Sequence, residues 1–243
     1  MTVVSAGPLM CERPLYERRP PSQDSDALRR IFSAIGETSC PTIYNFHMHT
    51  THSDGQLSPD RLVDQVLEIG LKGFAITDHH SVSGSRVAQQ YLQDWSSTPE
   101  NSAKEAPHLW FGTEITSQLL DIEVHILGYA FDPEHSAIAS YLQGTSPRGD
   151  RAQAHRVVAA IQKSGGIAVL AHPARYRKPY EQLIPAAVMV GIDGVETFYA
   201  YGNPKPWKAS IEETKNVGKL SLQYKLLNTC GTDTHGKNLL QRV

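Results

Sequence analysis

The 243-residue chain has only three cysteines, Cys11, Cys40 and Cys230, scattered too widely for a CxxC metal site or a disulfide framework. It lacks an excess of either charge: 23 Lys and Arg stand against 25 Asp and Glu, a formal net charge of −2. That argues against a broadly basic nucleic-acid scaffold but leaves room for a local basic pocket that holds phosphate. No apolar run approaches the roughly 20 residues that span a bilayer. The N-terminus "MTVVSAGPLMCERPLYERRPPSQ" has no basic stretch followed by an apolar one, so it does not read as a secretory signal. Unpaired cysteines, no leader and no membrane span together predict a reducing, cytoplasmic setting. Internal repeats are absent as well.

What the chain does have is a core and an alternation. Forty per cent hydrophobic residues suffice for one sizeable domain. Residues 1 to about 23, rich in Pro and Arg and without apolar period, predict a mobile tail. "DSDALRRIFSAIG" predicts one short amphipathic helix, and the ordered body is expected to begin near Pro41. This divides the chain into a tail with a short helix, 1–40, and one folded domain, 41–243.

From Pro41 onward, strand-like runs appear at "TIYNFH", "GFAIT", "LWFGTEI", "VHILGYA", "IAVLAH", "GVETF" and "LLNTCG". Helix-like segments separate most of them, the first opened by Ser58 and Pro59 and closed by Gly70. The third and fourth runs are joined only by "TSQLLDIE", which predicts a hairpin-like break. Strands with helical crossovers imply an α/β fold with a mainly parallel sheet. An open doubly wound sheet is compatible with the alternation. Polar residues at nearly every strand's C-terminal end favour a distorted seven-stranded barrel, because barrels gather their chemistry at that face.

Those polar residues are His47, His49 and Asp54 after the first strand, and Asp78, His79 and His80 after the second. Glu114, His125, His172 and Glu196 follow on the next four, and Asp233 and His235 on the last. Side chains two apart on a strand point the same way, so His47 and His49 can share an ion, as can Asp233 and His235. Each alone has an ordinary structural explanation: a hydrogen-bonded His172, a capping Asp78, a lysine-paired Glu114. Together they are imidazole and carboxylate donors without thiolate, a set that suits Zn²⁺, Mn²⁺ or Fe²⁺. Burying them without cations would be costly, and their number exceeds what one ion coordinates.

On the motifs "HMHTTHSDG", "TDHH", "GTE", "AHP" and "GTDTH", in that order from 47 to 235, the sequence resembles the polymerase and histidinol phosphatase (PHP) superfamily of metal-dependent phosphoesterases. It is most similar to the branch acting on nucleoside 3′,5′-bisphosphates and as 5′-to-3′ exoribonucleases. That branch carries an Asp after the first HxH, as Asp54 here, and a His eleven residues beyond the GxE glutamate, as His125 here (114 + 11). The resemblance implies a distorted (β/α)7 barrel with two or three divalent ions. His47, His49, Glu114 and Asp233 would hold the first; Glu114 would bridge to a second held by His125 and His172; Asp54, His79 and His235 would hold the third. Glu114, Asp233 and His235 would carry the catalytic role through these ions, which activate a hydroxide. Asp78 and Glu196 would orient ligand imidazoles, and His80 would pack beside the site. His52 lies outside the ligand set, and His108, His135 and His155 are ordinary surface or packing residues.

Arg151 after "SPRG" and Arg175 in "HPARYR" are the candidate phosphate-binding residues. The bisphosphate branch usually has a capping insertion between the helix holding "DRAQAHR" and the "AHP" strand. Here only 21 positions (172 − 151) separate Arg151 from His172, which favours a more open site. Only eight residues follow His235 (243 − 235), so any final helix is expected to be short or absent. The expected substrate is a phosphorylated small molecule, a nucleotide or a short RNA, with no membrane and no obligate protein partner. The alternatives are a phosphatase of a small monoester such as histidinol phosphate, a non-catalytic metal-binding module, and amidohydrolase chemistry. The last lacks its typical bridging lysine.

Overall fold

All seven apolar runs become strands in the computed structural model, which describes residues 19–243. They are β1 (Tyr44–Asn45), β2 (Gly73–Ile76), β3 (His108–Leu119), β4 (Ile122–Tyr129), β5 (Ile167–Leu170), β6 (Gly194–Phe198) and β7 (Leu227–Cys230). The helices are α1 (Ser25–Phe32), α2 (Pro59–Ile69), α3 (Ser83–Ser96), α4 (Ser136–Ala139), α5 (Ala154–Lys163), α6 (Tyr180–Met189) and α7 (Ile211–Tyr224). The strands form one sheet in sequence order. Pairing is parallel except around β4, which runs antiparallel to both β3 and β5. The expected hairpin is the turn at Leu120 and Asp121, both with positive φ.

Closure comes from the strand extensions. Met48 bridges Thr234 in parallel, the Asp233 amide donates to the His47 carbonyl at 2.8 Å, and the His49 amide donates to the Thr234 carbonyl at 3.1 Å. The first and last strands thereby meet, and the sheet is a nearly closed barrel rather than an open one. Gly231 is required at this seam, because a Cβ there would overlap His47.

The interior is layered. β2 and β5 are buried along their whole length, as strands covered on both faces should be. Phe46, just after β1, joins Ala75, Trp110, Leu127, Tyr129, Val169 and Cys230, from five further strands, in one apolar cluster. On β3, Trp110, Gly112 and Glu114 climb one face at period two, apolar at the bottom and charged at the top. Leu28 and Phe32 of α1, both fully buried, join the bottom cluster; Phe32 meets Phe46 and Tyr129 edge-on at 5.0 and 5.4 Å. Asp24 caps α1 by accepting from the Ala27 amide at 2.8 Å.

Two expectations are corrected here. The ordered body does not begin near Pro41. It reaches back through α1 to the turn Pro21–Gln23, where Ser22 is buried and the Pro21 carbonyl meets His108 Nε2 at 3.0 Å. The remainder of the expected tail, 1–18, lies outside the described residues. Cys40 and Cys230 are not isolated: they form a disulfide across 190 positions, with Cα atoms 6.0 Å apart. Spacing along the chain could not show this, because barrel closure is what brings the segment before β1 against β7. The reducing compartment inferred from unpaired cysteines thereby loses its support. Among the described residues no helix is long and apolar enough to cross a membrane.

Candidate metal centre

Strand ends deliver the site. His47 and His49 leave β1 on one side and are fully buried. Glu114 stands inside β3, which continues past the barrel rim into the hairpin. His125 corrects the expectation of a C-terminal strand end: it lies in the first half of β4. Because β4 runs the opposite way, that half opens on the same mouth, and His125 faces Thr116 across the ladder. Two of the residues bend inward with left-handed backbone, His172 at φ 27° and Asp233 at φ 54°. Such conformations are uncommon for residues with a Cβ and gather at functional sites.

Four atoms make the tightest group. His47 Nε2 and His49 Nε2 each lie 3.1 Å from Glu114 Oε2 and 3.3 Å from Asp233 Oδ1. Bonds of about 2.0–2.1 Å to a central ion would give tetrahedral edges of roughly 3.3–3.4 Å. The observed spacing fits that cage. A second group surrounds the other glutamate oxygen: His125 Nδ1 lies 2.7 Å and His172 Nε2 3.2 Å from Glu114 Oε1. The third collects His235 Nε2 at 3.3 Å and His79 Nε2 at 3.7 Å from Asp54 Oδ2, with His49 Nδ1 3.6 Å from Oδ1. All nine expected ligands are thus joined by contacts of 3.7 Å or less.

The partition differs from the expected one in the middle group. The residues close enough to surround one ion there are His79, Glu114 and His125. His79 leans between two groups, 3.7 Å from Glu114 Oε2 as well as from Asp54. His172 shares the glutamate oxygen with His125 without completing that triplet.

Donor chemistry tests whether cations belong here. Both ring nitrogens of His49 and Nδ1 of His172 are buried without a hydrogen-bond partner among the described residues. His49 Nε2 is near two carboxylate oxygens yet aligned to bond neither, as expected of a lone pair directed at a point between them. Burial alone would push His47 and His49 down. Glu196, Glu114 and Asp233 outweigh it, holding His47 well above the usual imidazole range, and Asp233 and Glu114 raise His49 to about 9. Burial would raise Glu114 and Asp233, but the neighbouring imidazoles hold both well below the carboxylate range. His79 and His172 are lowered by burial, toward the neutral form that ligates. This is a nest of buried anions seeking cations, and the residues fit divalent metal.

The supporting residues are partly as foreseen. Glu196 Oε1 meets His47 Nδ1 at 3.0 Å, and its Oε2 accepts from the His172 amide at 2.8 Å. Among the described residues Asp78 makes no hydrogen bond or ion pair with an imidazole, contrary to expectation. It accepts from the Thr50 amide and hydroxyl, both at 2.7 Å, and from the Ser53 hydroxyl at 2.9 Å, fixing the loop that carries Asp54. His80 bonds Thr116 at 3.1 Å and Ser146 at 3.2 Å, and burial and its histidine neighbours lower it to about 4. His52 meets Ser83 instead.

Of the two arginines, Arg175 reaches the site, donating to Asp233 Oδ2 at 2.9 Å and Tyr199 Oη at 3.2 Å. Arg151 is exposed and makes no ion pair among the described residues; its carbonyl accepts from Tyr141. Sequence reasoning missed Tyr199, which donates to Asp233 Oδ2 at 2.6 Å, and Arg242, whose Nε donates to it at 3.0 Å. Tyr199 directly follows a strand and could have been found. Arg242 carries no such mark.

Comparisons with known proteins agree with this geometry. The family model described as PHP domain matches residues 45–202, more than half of the chain. The chain is 31% identical over 116 residues to the 5′-3′ exoribonuclease Rnm of Salmonella typhimurium, covering 48% of this chain and 37% of the relative. With the Escherichia coli protein of that name it is 32% identical over 120 residues, covering 49% and 38%. The chain thus matches less than two-fifths of these relatives' length. Among solved structures it is similar to a protein described as a metal-dependent phosphoesterase from Bifidobacterium adolescentis, with TM-score 0.64 and 24% identity, covering 81% of this chain and 89% of the other. A Chromobacterium violaceum protein described as an amidohydrolase has TM-score 0.65 and 19% identity, covering 79% and 87%. At these identities the two structures speak for the fold alone.

Proposed function

The chain belongs to the PHP domain family, and from that premise we propose that it is a metal-dependent phosphoesterase hydrolysing nucleotides or RNA 5′ ends. The observation that carries this reading is Glu114, whose two oxygens each serve a separate imidazole group on one barrel mouth. Bound Mn²⁺, Fe²⁺ or Zn²⁺, two or three ions in all, would supply Lewis acidity at phosphorus and an acidified water. His47, His49, Glu114 and Asp233 would hold one ion, and Asp54, His79 and His235 would hold another. Glu114 with His125, His79 and His172 defines the middle. Glu196 fixes the His47 ring, and Arg175 offers charge to the phosphate. The named relatives are exoribonucleases, which supports a nucleic-acid substrate.

Lys163 ends α5 and Ile167 begins β5, so the insertion that the bisphosphate branch carries between them is absent. Metal-loaded protein incubated with 5′-phosphorylated RNA, a nucleoside 3′,5′-bisphosphate and simple monoesters tests the choice. Release of nucleotides from the RNA is expected, and turnover of monoesters alone would select the smaller substrate. His47→Ala should abolish hydrolysis while circular dichroism stays that of the folded chain; full activity in that variant would defeat the reading.

A further inference from the structure

We propose that Arg242 joins Arg175 in a two-arginine subsite for the substrate's phosphoryl oxygens, built on the outer oxygen of Asp233. The inference deepens the phosphoesterase reading and rests on it. Asp233 Oδ2 accepts from Arg175 Nη1 at 2.9 Å, Arg242 Nε at 3.0 Å and the Tyr199 hydroxyl at 2.6 Å. Its other oxygen faces the Nε2 atoms of His47 and His49. One carboxylate cannot neutralise two guanidinium ions and serve a divalent cation as well.

No neighbour makes up the difference. Among the described residues neither arginine pairs with a second carboxylate. Glu114 and Glu196 are engaged by His47, His49, His125 and His172. With two or three divalent ions held there, the five carboxylates Asp54, Asp78, Glu114, Glu196 and Asp233 would not balance those ions together with two guanidinium groups, even though the whole chain has a formal charge of −2. An anion would balance the loaded site.

Donor capacity remains to meet one. A guanidinium presents its N–H groups in a planar fork that matches phosphate in two-point contact. Arg175 commits Nη1, and Arg242 commits Nε together with a 3.4 Å contact from Nη1 to Asn203 Oδ1. Nη2 of both is uncommitted among the described residues. Their side chains are 38% and 19% exposed, so each reaches solvent while being anchored. Arg242 is also seated by its backbone. Its carbonyl accepts from the His235 amide at 2.7 Å, and Thr234 donates to the Asn238 carbonyl at 2.9 Å. The segment after β7 thus folds back on the strand end that supplies Asp233 and His235. Arg151 has none of these features.

Inorganic phosphate is the probe. Its affinity for metal-loaded wild type, R242Q and R242K is measured by calorimetry, with bound metal determined on the same samples. R242Q should weaken phosphate roughly 10- to 100-fold at unchanged metal content, as loss of a charged hydrogen-bond donor implies, with R242K in between. Wild-type affinity in R242Q would overturn the subsite and leave the phosphoesterase reading standing. So would a variant whose only defect is lost metal, which would make Arg242 an anchor for Asp233. Loaded wild type that binds no phosphate would overturn both. Should R242Q not fold, R242K decides, because a lysine equal to wild type would show that the fork has no role.

Discussion

Glu114 is the residue on which the site turns, since four imidazoles lie within 3.2 Å of its two oxygens while burial alone would favour its neutral form. Its neighbour in importance is Glu196, which meets the far nitrogen of His47 and accepts from the His172 amide. Glu196→Gln keeps the shape and removes the charge that makes His47 a strong donor. Metal affinity should fall roughly 10- to 100-fold, measured by competition with a chelating dye. An unchanged affinity would mean that Glu196 only packs. Protonation gives a second prediction. In metal-free protein His47 and His49 are raised by their carboxylate neighbours, so the stability they contribute is complete below the unfolded value near 6.5. It is lost as pH rises through about 9, the value to which His49 is shifted. Chelated protein should therefore lose denaturant resistance between pH 6.5 and 9.5. Bound metal replaces those protons, so the loaded protein should hold its stability across that window, and its metal affinity should climb with pH.

At the scale of elements, α1 and β4 do what local sequence does not announce. The helix was legible as a helix, from the capping Asp24 and its apolar stripe. That Phe32 plugs the barrel was not, because the partners Phe46 and Tyr129 are brought to it only by the finished sheet. Phe32→Ala should cost about 3–5 kcal/mol in urea unfolding, as a large aromatic removed from a packed core does. A loss under 1 kcal/mol would show that α1 is an appendage. The direction of β4 follows from a turn at Leu120 and Asp121 too short for a helical crossover, and it carries His125 to the mouth from the wrong end of its strand. The seven strands themselves were legible, since β-branched and aromatic runs between helical segments have few other folded forms.

For the whole molecule, the nine candidate ligands could be read from sequence because a barrel sends successive strand ends to one face. What could not be read are contacts made only in the folded chain: Cys40 with Cys230, Arg242 with Asp233, and the loop that Asp78 clamps. Cys40 and Cys230 lie 190 positions apart and Asp78 lies 28 from Thr50, while Arg242 reaches back nine residues through an irregular turn; none of these contacts has a periodic signature. Closure lets one end of the barrel be apolar and sealed by α1 while the other concentrates charge. The arrangement is the one expected of a site that holds cations. Anomalous diffraction from crystals loaded with Mn²⁺ tests this most directly. We expect at least two peaks, one among His47, His49, Glu114 and Asp233 and another sharing Glu114 from its opposite oxygen. A single ion, or ions bound away from Glu114, would contradict the account.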